Sequence, residues 1–216
     1  MAIVKNKEHL IKKGQTEPLR KARALALNSY EAALNSVEPA RLVKSKLTLK
    51  ASTLKVDDLS FDLQKFKKVY VVGAGKASGE IAAALEQILG KWITKGIVNV
   101  PRGSKPKTEI IMLHEANHPI PDQAGIEGSK QMLQIAEQAG PNDLVICLLS
   151  GGGSSLMPLP REDLPLKDKQ ELTQTLLKSG ASISEINTVR KHVSAFKGGN
   201  LAQRSVSCNG FKLGYF

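Results

Sequence analysis

The sequence is poor in cysteine and in aromatic side chains, and it has no long apolar run. Its two cysteines, Cys147 and Cys208, do not make a disulfide framework or a metal knuckle. No stretch approaches the roughly 18 consecutive apolar residues of a membrane span, and the lysine-rich N-terminus lacks an apolar signal segment. Aromatic residues make up only 4%, so the expected core is aliphatic. These absences favour a cytoplasmic protein in a reducing environment.

Acidic residues are also scarce relative to basic ones, 20 against 31, which gives a formal net charge of +11. That balance is compatible with nucleic acid, with anionic metabolites, or with no ligand. The lysines are scattered and no series of aromatic residues accompanies them, which argues against a nucleic-acid surface. Basic residues recur beside glycines, so we expect a small anionic substrate and neither nucleic acid nor a membrane as partner. Homo-oligomerisation stays open.

Apolar periodicity predicts a helix followed by alternating strands and helices. The first helix covers residues 17–37, where apolar positions are spaced by three and four, and Pro39 is expected to end it. The pattern implies an α/β fold: a Rossmann-like three-layer domain with a mainly parallel sheet, preceded by an N-terminal helix. The predicted strands are 47–50, 51–56, 69–73, 96–100, 108–113 and 144–149, and the later helices are 80–89, 123–139, 167–179 and 183–191.

The first glycine cluster, Gly73-Ala74-Gly75-Lys76-Ala77-Ser78-Gly79, directly follows a predicted buried strand. Its glycine spacing is not that of a dinucleotide fingerprint, and Asn99 stands near the place of the expected acid. It is not a Walker A loop either. A tight strand-to-helix turn explains small residues there. Lys76 in the first turn of a helix opposes the helix dipole, which an anion between the lysine and the backbone amides would relieve.

The second cluster, Ser150-Gly151-Gly152-Gly153-Ser154-Ser155, is the stronger signal. Three successive glycines permit a concave nest of backbone N–H groups, and the flanking hydroxyls add donors. The alternative is a flexible linker, but linkers rarely follow directly on a buried strand. Ser154 as a nucleophile has no support from a Ser-His-Asp pattern or a G-x-S-x-G elbow. We therefore expect an anion site at this loop.

A basic, amide-bearing stretch runs from Asn187 to His192 and is followed by Lys197-Gly198-Gly199. Arg190 offers a planar fork for a carboxylate or a phosphate. The alternative is a solvated helix face. Two further residues have structural interpretations, His118 as a loop residue shaped by Pro119 and Asp122 as a helix cap.

Taken together, the motifs resemble the glycerate 2-kinase family, the class II glycerate kinases that carry a MOFRL domain. Six segments match in the family's order. They are Val71–Ala77, Val100–Gly103, His118–Asp122, Leu149–Ser155, Ile186–His192 and Phe196–Ala202.

The resemblance implies ATP-dependent phosphorylation of D-glycerate to 2-phosphoglycerate, with ATP and Mg²⁺ as cofactors. It also implies a cleft between an N-terminal Rossmann-like domain, here residues 1–203, and a smaller C-terminal domain. Residues 204–216 depart from the family pattern, so we expect a divergent tail and no MOFRL domain. Two alternatives remain: an NAD(P)H-dependent hydroxypyruvate reductase, a name that family members have carried, and a non-catalytic domain that binds an anion or a partner.

Under the kinase hypothesis, Lys76 neutralises charge on the transferring phosphoryl group or on the substrate carboxylate, and Arg190 and Lys191 clamp an anionic group. No metal ligand is identified. The residues expected to bind substrate or nucleotide are Gly73, Gly75, Ser150, Gly151, Gly152, Gly153, Ser154, Ser155, Asn187 and Lys197.

Overall fold

The computed structural model describes residues 3–161, 164–204 and 210–215. Its N-terminal part contains three helices and a small antiparallel sheet that has the order β1-β2-β3. Glu38 caps α3 by accepting hydrogen bonds from the amides of Ala40 and Arg41. These elements are α1 (Lys7–Lys12), α2 (Glu17–Ser36), α3 (Pro39–Lys46), β1 (Leu47–Lys50), β2 (Thr53–Val56) and β3 (Leu59–Asp62).

The central element is a parallel sheet of five strands, with the order β6-β5-β4-β7-β8. The strands are β4 (Lys68–Ala74), β5 (Lys95–Pro101), β6 (Ile111–Ala116), β7 (Asp143–Leu149) and β8 (Gly210–Tyr215). The remaining helices are α4 (Ser78–Leu89), α5 (Gln123–Gln138), α6 (Gly153–Leu156), α7 (Leu166–Lys178), α8 (Ile183–His192) and α9 (Asn200–Arg204).

Strands β4, β5 and β7 are largely buried on both faces, as their near-continuous apolar sequences predict. Because side chains alternate along a strand, Val69 and Val71 of β4 pack with α4, whereas Tyr70 and Val72 pack on the face covered by α5. The predicted Rossmann-like α/β class is therefore confirmed. Among the described residues, no helix combines the length and the apolarity needed to cross a bilayer.

Three local predictions differ from the structure. Pro39 does not end the first long helix; α2 ends at Ser36, and Pro39 starts α3, because a proline without an N–H group fits the first helical position. The strand predicted at 108–113 lies at Ile111–Ala116. In the tail predicted to diverge, Gly210–Tyr215 pairs in parallel with β7, whereas residues 205–209, including Cys208, and residue 216 lie outside the described ranges.

Candidate anion-binding site at the sheet edge

The two glycine turns lie side by side at one edge of the parallel sheet. Strands β4 and β7 are direct neighbours, and Ala74 is in register with Leu149 immediately before the turns. The Lys76 amide donates to the Gly151 carbonyl at 2.8 Å, and the Ser150 amide donates to the Ala74 carbonyl at 3.3 Å. The structure thus brings together the two segments that the sequence analysis singled out, at the carboxyl ends of the strands, where sites form in such folds.

The first turn does not present bare amides from Gly75 to Ser78. The Gly75 amide donates to the Asn99 carbonyl, the Ala77 amide to Ser150 Oγ at 3.1 Å, and the Ser78 amide to the Gly75 carbonyl. With Lys76 also engaged, all four amides already have acceptors within the protein. The expectation of open N–H groups is therefore not met in this segment, and its available donor is the Lys76 side chain.

Gly73 and Gly75, the glycines at the end of β4, allow β4 and β7 to approach closely. A Cβ atom on Gly73 would lie 2.1 Å from the Leu148 carbonyl oxygen, and one on Gly75 would lie 2.0 Å from Ser150 Oγ. Such distances are far below van der Waals contact, so any side chain would force the strands apart. Packing alone accounts for both glycines, and their predicted role in binding a nucleotide stays a prediction.

The second turn does present open amides. In the described part of the chain, the N–H groups of Gly151, Gly152 and Ser154 have no hydrogen-bond acceptor, whereas those of Ser150, Gly153 and Ser155 donate to carbonyls. Gly152 has φ +87°, a left-handed conformation that glycine adopts without steric cost. The loop Ser150–Ser155 therefore has the free donors of an anion-binding nest.

Lys76 and His118 border this loop on one side. A Cβ atom built on Gly152 would lie 2.9 Å from His118 Nε2 and 3.0 Å from Lys76 Cγ, so both side chains contact the loop. Lys76 is exposed and forms no ion pair with the residues that the structure describes. Sequence reasoning treated His118 as a loop residue only. The sequence feature that could have pointed to His118 was its position in the segment His118–Asp122, which matches the family resemblance.

Three cationic side chains donate hydrogen bonds to the loop or to the segment that directly follows it. Arg190 of α8 donates to Ser154 Oγ at 2.8 Å. Lys197 Nζ donates to the carbonyls of Ser154 at 3.1 Å and Met157 at 2.6 Å. Lys169 Nζ, from α7, donates to the carbonyls of Pro158 at 2.6 Å and Leu159 at 3.1 Å. We call Lys169, Arg190 and Lys197 the cation cluster.

The cation cluster is poorly solvated and mutually repulsive. Burial, with added repulsion from Lys169 and Arg190, lowers the pKa of Lys197 to about 7. Burial and the charge of Arg190 lower the pKa of Lys169 to about 8. None of the three pairs with a carboxylate of the described residues. Sequence reasoning missed Lys169, because a lysine on a polar helix carries no sign that it is buried.

Two predicted residues lie further out. Asn187 and Lys191 are exposed on α8, and no hydrogen bond in the described part of the chain joins either to a glycine turn. Lys191 lines a cavity of about 230 Å³ together with Arg161, His192, Lys197, Gly198 and Asn200. Arg190 therefore bonds the loop, whereas Lys191 does not, and the anion clamp expected of the two residues stays a prediction.

Asp122, the acid nearest a matched motif, is the predicted helix cap. Its Oδ1 accepts from the Gly125 amide at 3.0 Å, and its Oδ2 accepts from Arg102 at 2.8 Å. Burial alone would raise the pKa of Asp122, but these hydrogen bonds outweigh it and lower the pKa. Across residues 3–161 and 164–204, no three His, Cys, Asp or Glu side chains form a group that could hold a metal ion.

A family model described as "Domain of unknown function (DUF4147)" matches residues 25–213. The chain belongs to this family. The match continues past Gln203, where the segment-by-segment resemblance to glycerate 2-kinases ends.

Relatives of this chain include named glycerate kinases. A D-glycerate 2-kinase of Thermotoga maritima is 42% identical over 183 residues, which are 84% of this chain and 40% of that protein. A glycerate 2-kinase of Pyrococcus horikoshii is 41% identical over 181 residues, with the same coverage. The resemblance drawn from the motifs is thus confirmed, and the chain spans about 40% of the length of these relatives. A putative hydroxypyruvate reductase of Agrobacterium vitis is 46% identical over 136 residues, 63% of this chain and 31% of that protein.

Two solved structures share the fold. A Pyrococcus horikoshii protein superposes with a TM-score of 0.77 at 39% identity. The superposition covers 90% of this chain and 42% of the Pyrococcus protein. A glycerate kinase of Thermotoga maritima superposes with a TM-score of 0.74 at 38% identity. The superposition covers 93% of this chain and 44% of the Thermotoga protein. Identity and superposition agree over the part of the fold that carries both glycine turns.

Proposed function

We propose that the chain serves ATP-dependent phosphorylation of D-glycerate to 2-phosphoglycerate. The observation that carries the proposal is the loop Ser150–Ser155, which has three open amides, contacts Lys76 at Gly152, and accepts hydrogen bonds from Arg190 and Lys197 at Ser154. Phosphoryl transfer needs positioning and charge neutralisation more than covalent chemistry, and this arrangement supplies both. The names of the relatives supply the substrate.

The reaction exchanges one P–O bond for another. The C2 hydroxyl oxygen of D-glycerate attacks the γ-phosphorus, the bond from that phosphorus to the bridging oxygen breaks, and ADP leaves while the hydroxyl proton passes to solvent. In this proposal Lys76 neutralises charge on the transferring group or on the glycerate carboxylate. The loop amides and Arg190 bind phosphate oxygens. Lys191 and Asn187 remain proposed contacts to an anionic group at the exposed face of α8.

Mg²⁺ would reduce charge repulsion between the phosphates in such a reaction. Asp122 already caps α5 and pairs with Arg102, so we do not assign it as the ligand. Because the described residues offer no group of metal-ligating side chains, we assign no step to the metal.

Hydroxypyruvate reduction, the activity after which some relatives are named, is a second candidate function. One residue argues against it. A nicotinamide site of the Rossmann type needs an acid near the end of the second strand for the ribose hydroxyls. That place in β5 holds Asn99, which is buried and donates through Nδ2 to the carbonyls of Gly125 and Leu156. A buried amide with two backbone partners cannot reach a ribose.

One set of assays separates the three functions. The 216-residue chain is incubated with ATP and Mg²⁺, with and without D-glycerate, and ADP release is followed in a coupled assay. The kinase proposal predicts ADP release that depends on D-glycerate and a product that enolase converts. NADPH oxidation with hydroxypyruvate would support the reductase instead. Saturable ATP binding without turnover of either substrate would assign the chain an anion-binding role only.

A further inference from the structure

We infer that a cavity between α5 and residues 159–161 is a binding site for a small amphipathic carboxylic acid, a molecule with one carboxylate and an aliphatic tail. The cavity has a volume of about 460 Å³, which lies within the range of small-molecule sites. In the described part of the chain, no residue of either glycine turn lines it. The site is therefore additional to the one on which the proposed function rests.

Buried aliphatic side chains form the floor of the cavity. Ile126 and Leu133 of α5, together with Leu159, are each only 7% exposed and belong to the hydrophobic core on one face of the sheet. Leu166 and Ala195 pack against the same core and also line the cavity. An apolar tail bound here would leave water and contact these side chains, which the hydrophobic effect and dispersion both favour. The floor thus selects an aliphatic group.

Three basic side chains give the cavity its preference for an anion. Lys130 of α5, Arg161 and Arg204 of α9 line the cavity and are exposed, which places them at its mouth. Arg204 pairs with Glu137 at 2.8 Å, whereas Lys130 and Arg161 form no ion pair with the residues that the structure describes. No Asp or Glu of the described ranges lines the cavity. A carboxylate at the mouth would meet two uncompensated cations, and the Arg161 guanidinium can bind it through two parallel hydrogen bonds.

One face of α5 explains why the apolar floor and the charged mouth lie close together. Gln123, Ile126, Lys130 and Leu133 follow one another at intervals of three, four and three residues, so they share a face of the helix. Ile126 and Leu133 are buried, while Gln123 and Lys130 are exposed. The face therefore offers apolar and polar groups within three turns, which suits a ligand that carries both.

The wall that Leu159 and Pro160 contribute is held by hydrogen bonds from other elements. The Leu159 carbonyl accepts from the Ala195 amide at 3.2 Å and from Lys169 Nζ at 3.1 Å. Pro160 forms an antiparallel bridge with Ser194. Because this wall is already ordered, a ligand does not have to order it on binding, and the entropy cost of association is reduced.

Calorimetric titration of the 216-residue chain with octanoate tests the site, with butyrate and octylammonium as comparison probes. We expect octanoate to bind in a saturable manner and at least about tenfold more tightly than butyrate, whose shorter tail leaves much of the floor uncovered. Octylammonium has the same tail and the opposite charge, so it should bind at least about tenfold more weakly than octanoate.

Two matched pairs of variants locate the bound octanoate. Lys130→Gln removes a cation from the mouth and should weaken octanoate about threefold or more, whereas Lys178→Gln, at an exposed lysine outside the cavity, should not. Leu164→Gln adds an amide to the lining and should also weaken octanoate about threefold or more. Leu177→Gln is its control, because Leu177 is 66% exposed and does not line the cavity. Circular dichroism of each variant checks that a lost affinity is not a lost fold.

Four results would overturn the inference. Equal affinity for octanoate and octylammonium would show that the tail alone decides binding, and equal affinity for octanoate and butyrate would show that the charge alone does. Octanoate affinity that Lys130→Gln and Leu164→Gln leave unchanged, or competition between octanoate and inorganic triphosphate, would place octanoate elsewhere. Absence of octanoate binding would also exclude the site. None of these results bears on D-glycerate phosphorylation, which the assay of ADP release tests separately.

Discussion

At the scale of single residues, a few positions accept only glycine, because any side chain there would collide with a neighbour. Gly73 and Gly75 allow two strands to touch, whereas Gly152 combines a left-handed backbone with contacts to His118 and Lys76. At Gly152 backbone conformation and binding are linked, because Gly152 also carries one of the open amides.

We predict that Gly152→Ala removes most anion binding, whereas Gly180→Ala does not. Both glycines have positive φ, +87° and +76°, so each alanine should cost roughly 1–2 kcal/mol of stability. Only at Gly152 would the new Cβ meet a neighbour, 2.9 Å from His118 Nε2; at Gly180 nothing lies within 4 Å. Urea unfolding and triphosphate titration of the two variants measure both effects. Equal binding by both variants would remove Gly152 from the site.

Lys169 and Lys197 also predict a pH dependence of stability. Their pKa values in the folded chain, about 8 and about 7, lie below the value of about 10.4 expected in the unfolded chain. The unfolded state therefore binds more protons between these limits, and the free energy of unfolding should rise as pH increases from 7 to 9. Urea unfolding at the two pH values measures the rise. Lys197→Met should reduce it, while Lys21→Met, at an exposed position, should leave it unchanged.

At the scale of elements, Asn99 connects one strand to two helices. Its Nδ2 donates to the Gly125 carbonyl in the first turn of α5 and to the Leu156 carbonyl at the end of α6. Gly128 leaves room for this side chain, since a Cβ atom there would lie 2.0 Å from Asn99 Oδ1. The helix α5 therefore positions the loop Ser150–Ser155 indirectly, through Asn99 and α6.

Gly128→Ala should be strongly destabilising, by about 1–3 kcal/mol, because it forces Asn99 out of its place in a packed interior. Gly140→Ala is the matched control at the end of the same helical region, where the nearest atom to the new Cβ is 3.7 Å away, an ordinary contact. Its expected effect is within about 0.5 kcal/mol. Thermal unfolding of the two variants gives the comparison. A Gly128→Ala variant as stable as the control would mean that Asn99 does not hold α5 in this way.

At the scale of the whole molecule, the parallel topology explains how much could be predicted from sequence. Apolar runs before Gly73 and Ser150 indicated buried strands, and strand order in such folds brings their carboxyl ends to one edge. The neighbouring positions of Lys76 and the loop followed from that. The small antiparallel sheet was only partly predicted, because its strands have only four residues each, of which two are apolar.

Two features of the site could not be predicted, because they depend on hydrogen bonds between separate elements of the fold. The amides of the first turn looked open in sequence, but Ser150 and Gly151 accept hydrogen bonds from Ala77 and Lys76 across more than 70 residues. Lys169 gave no signal, since its burial depends on carbonyls of Pro158 and Leu159 that turn toward α7. Tertiary hydrogen bonds, unlike apolar periodicity, leave no local pattern.

An NMR titration of the ¹⁵N-labelled chain with inorganic triphosphate tests the anion site most directly. We expect the amide resonances of Gly151, Gly152 and Ser154 to shift most, in a saturable manner, because their N–H groups are the open donors. The amides of Gly75 and Ala77, which already have acceptors, should shift much less. Shifts confined to the N-terminal lysines, or larger at Gly75 and Ala77 than in the loop, would contradict an anion site at Ser150–Ser155.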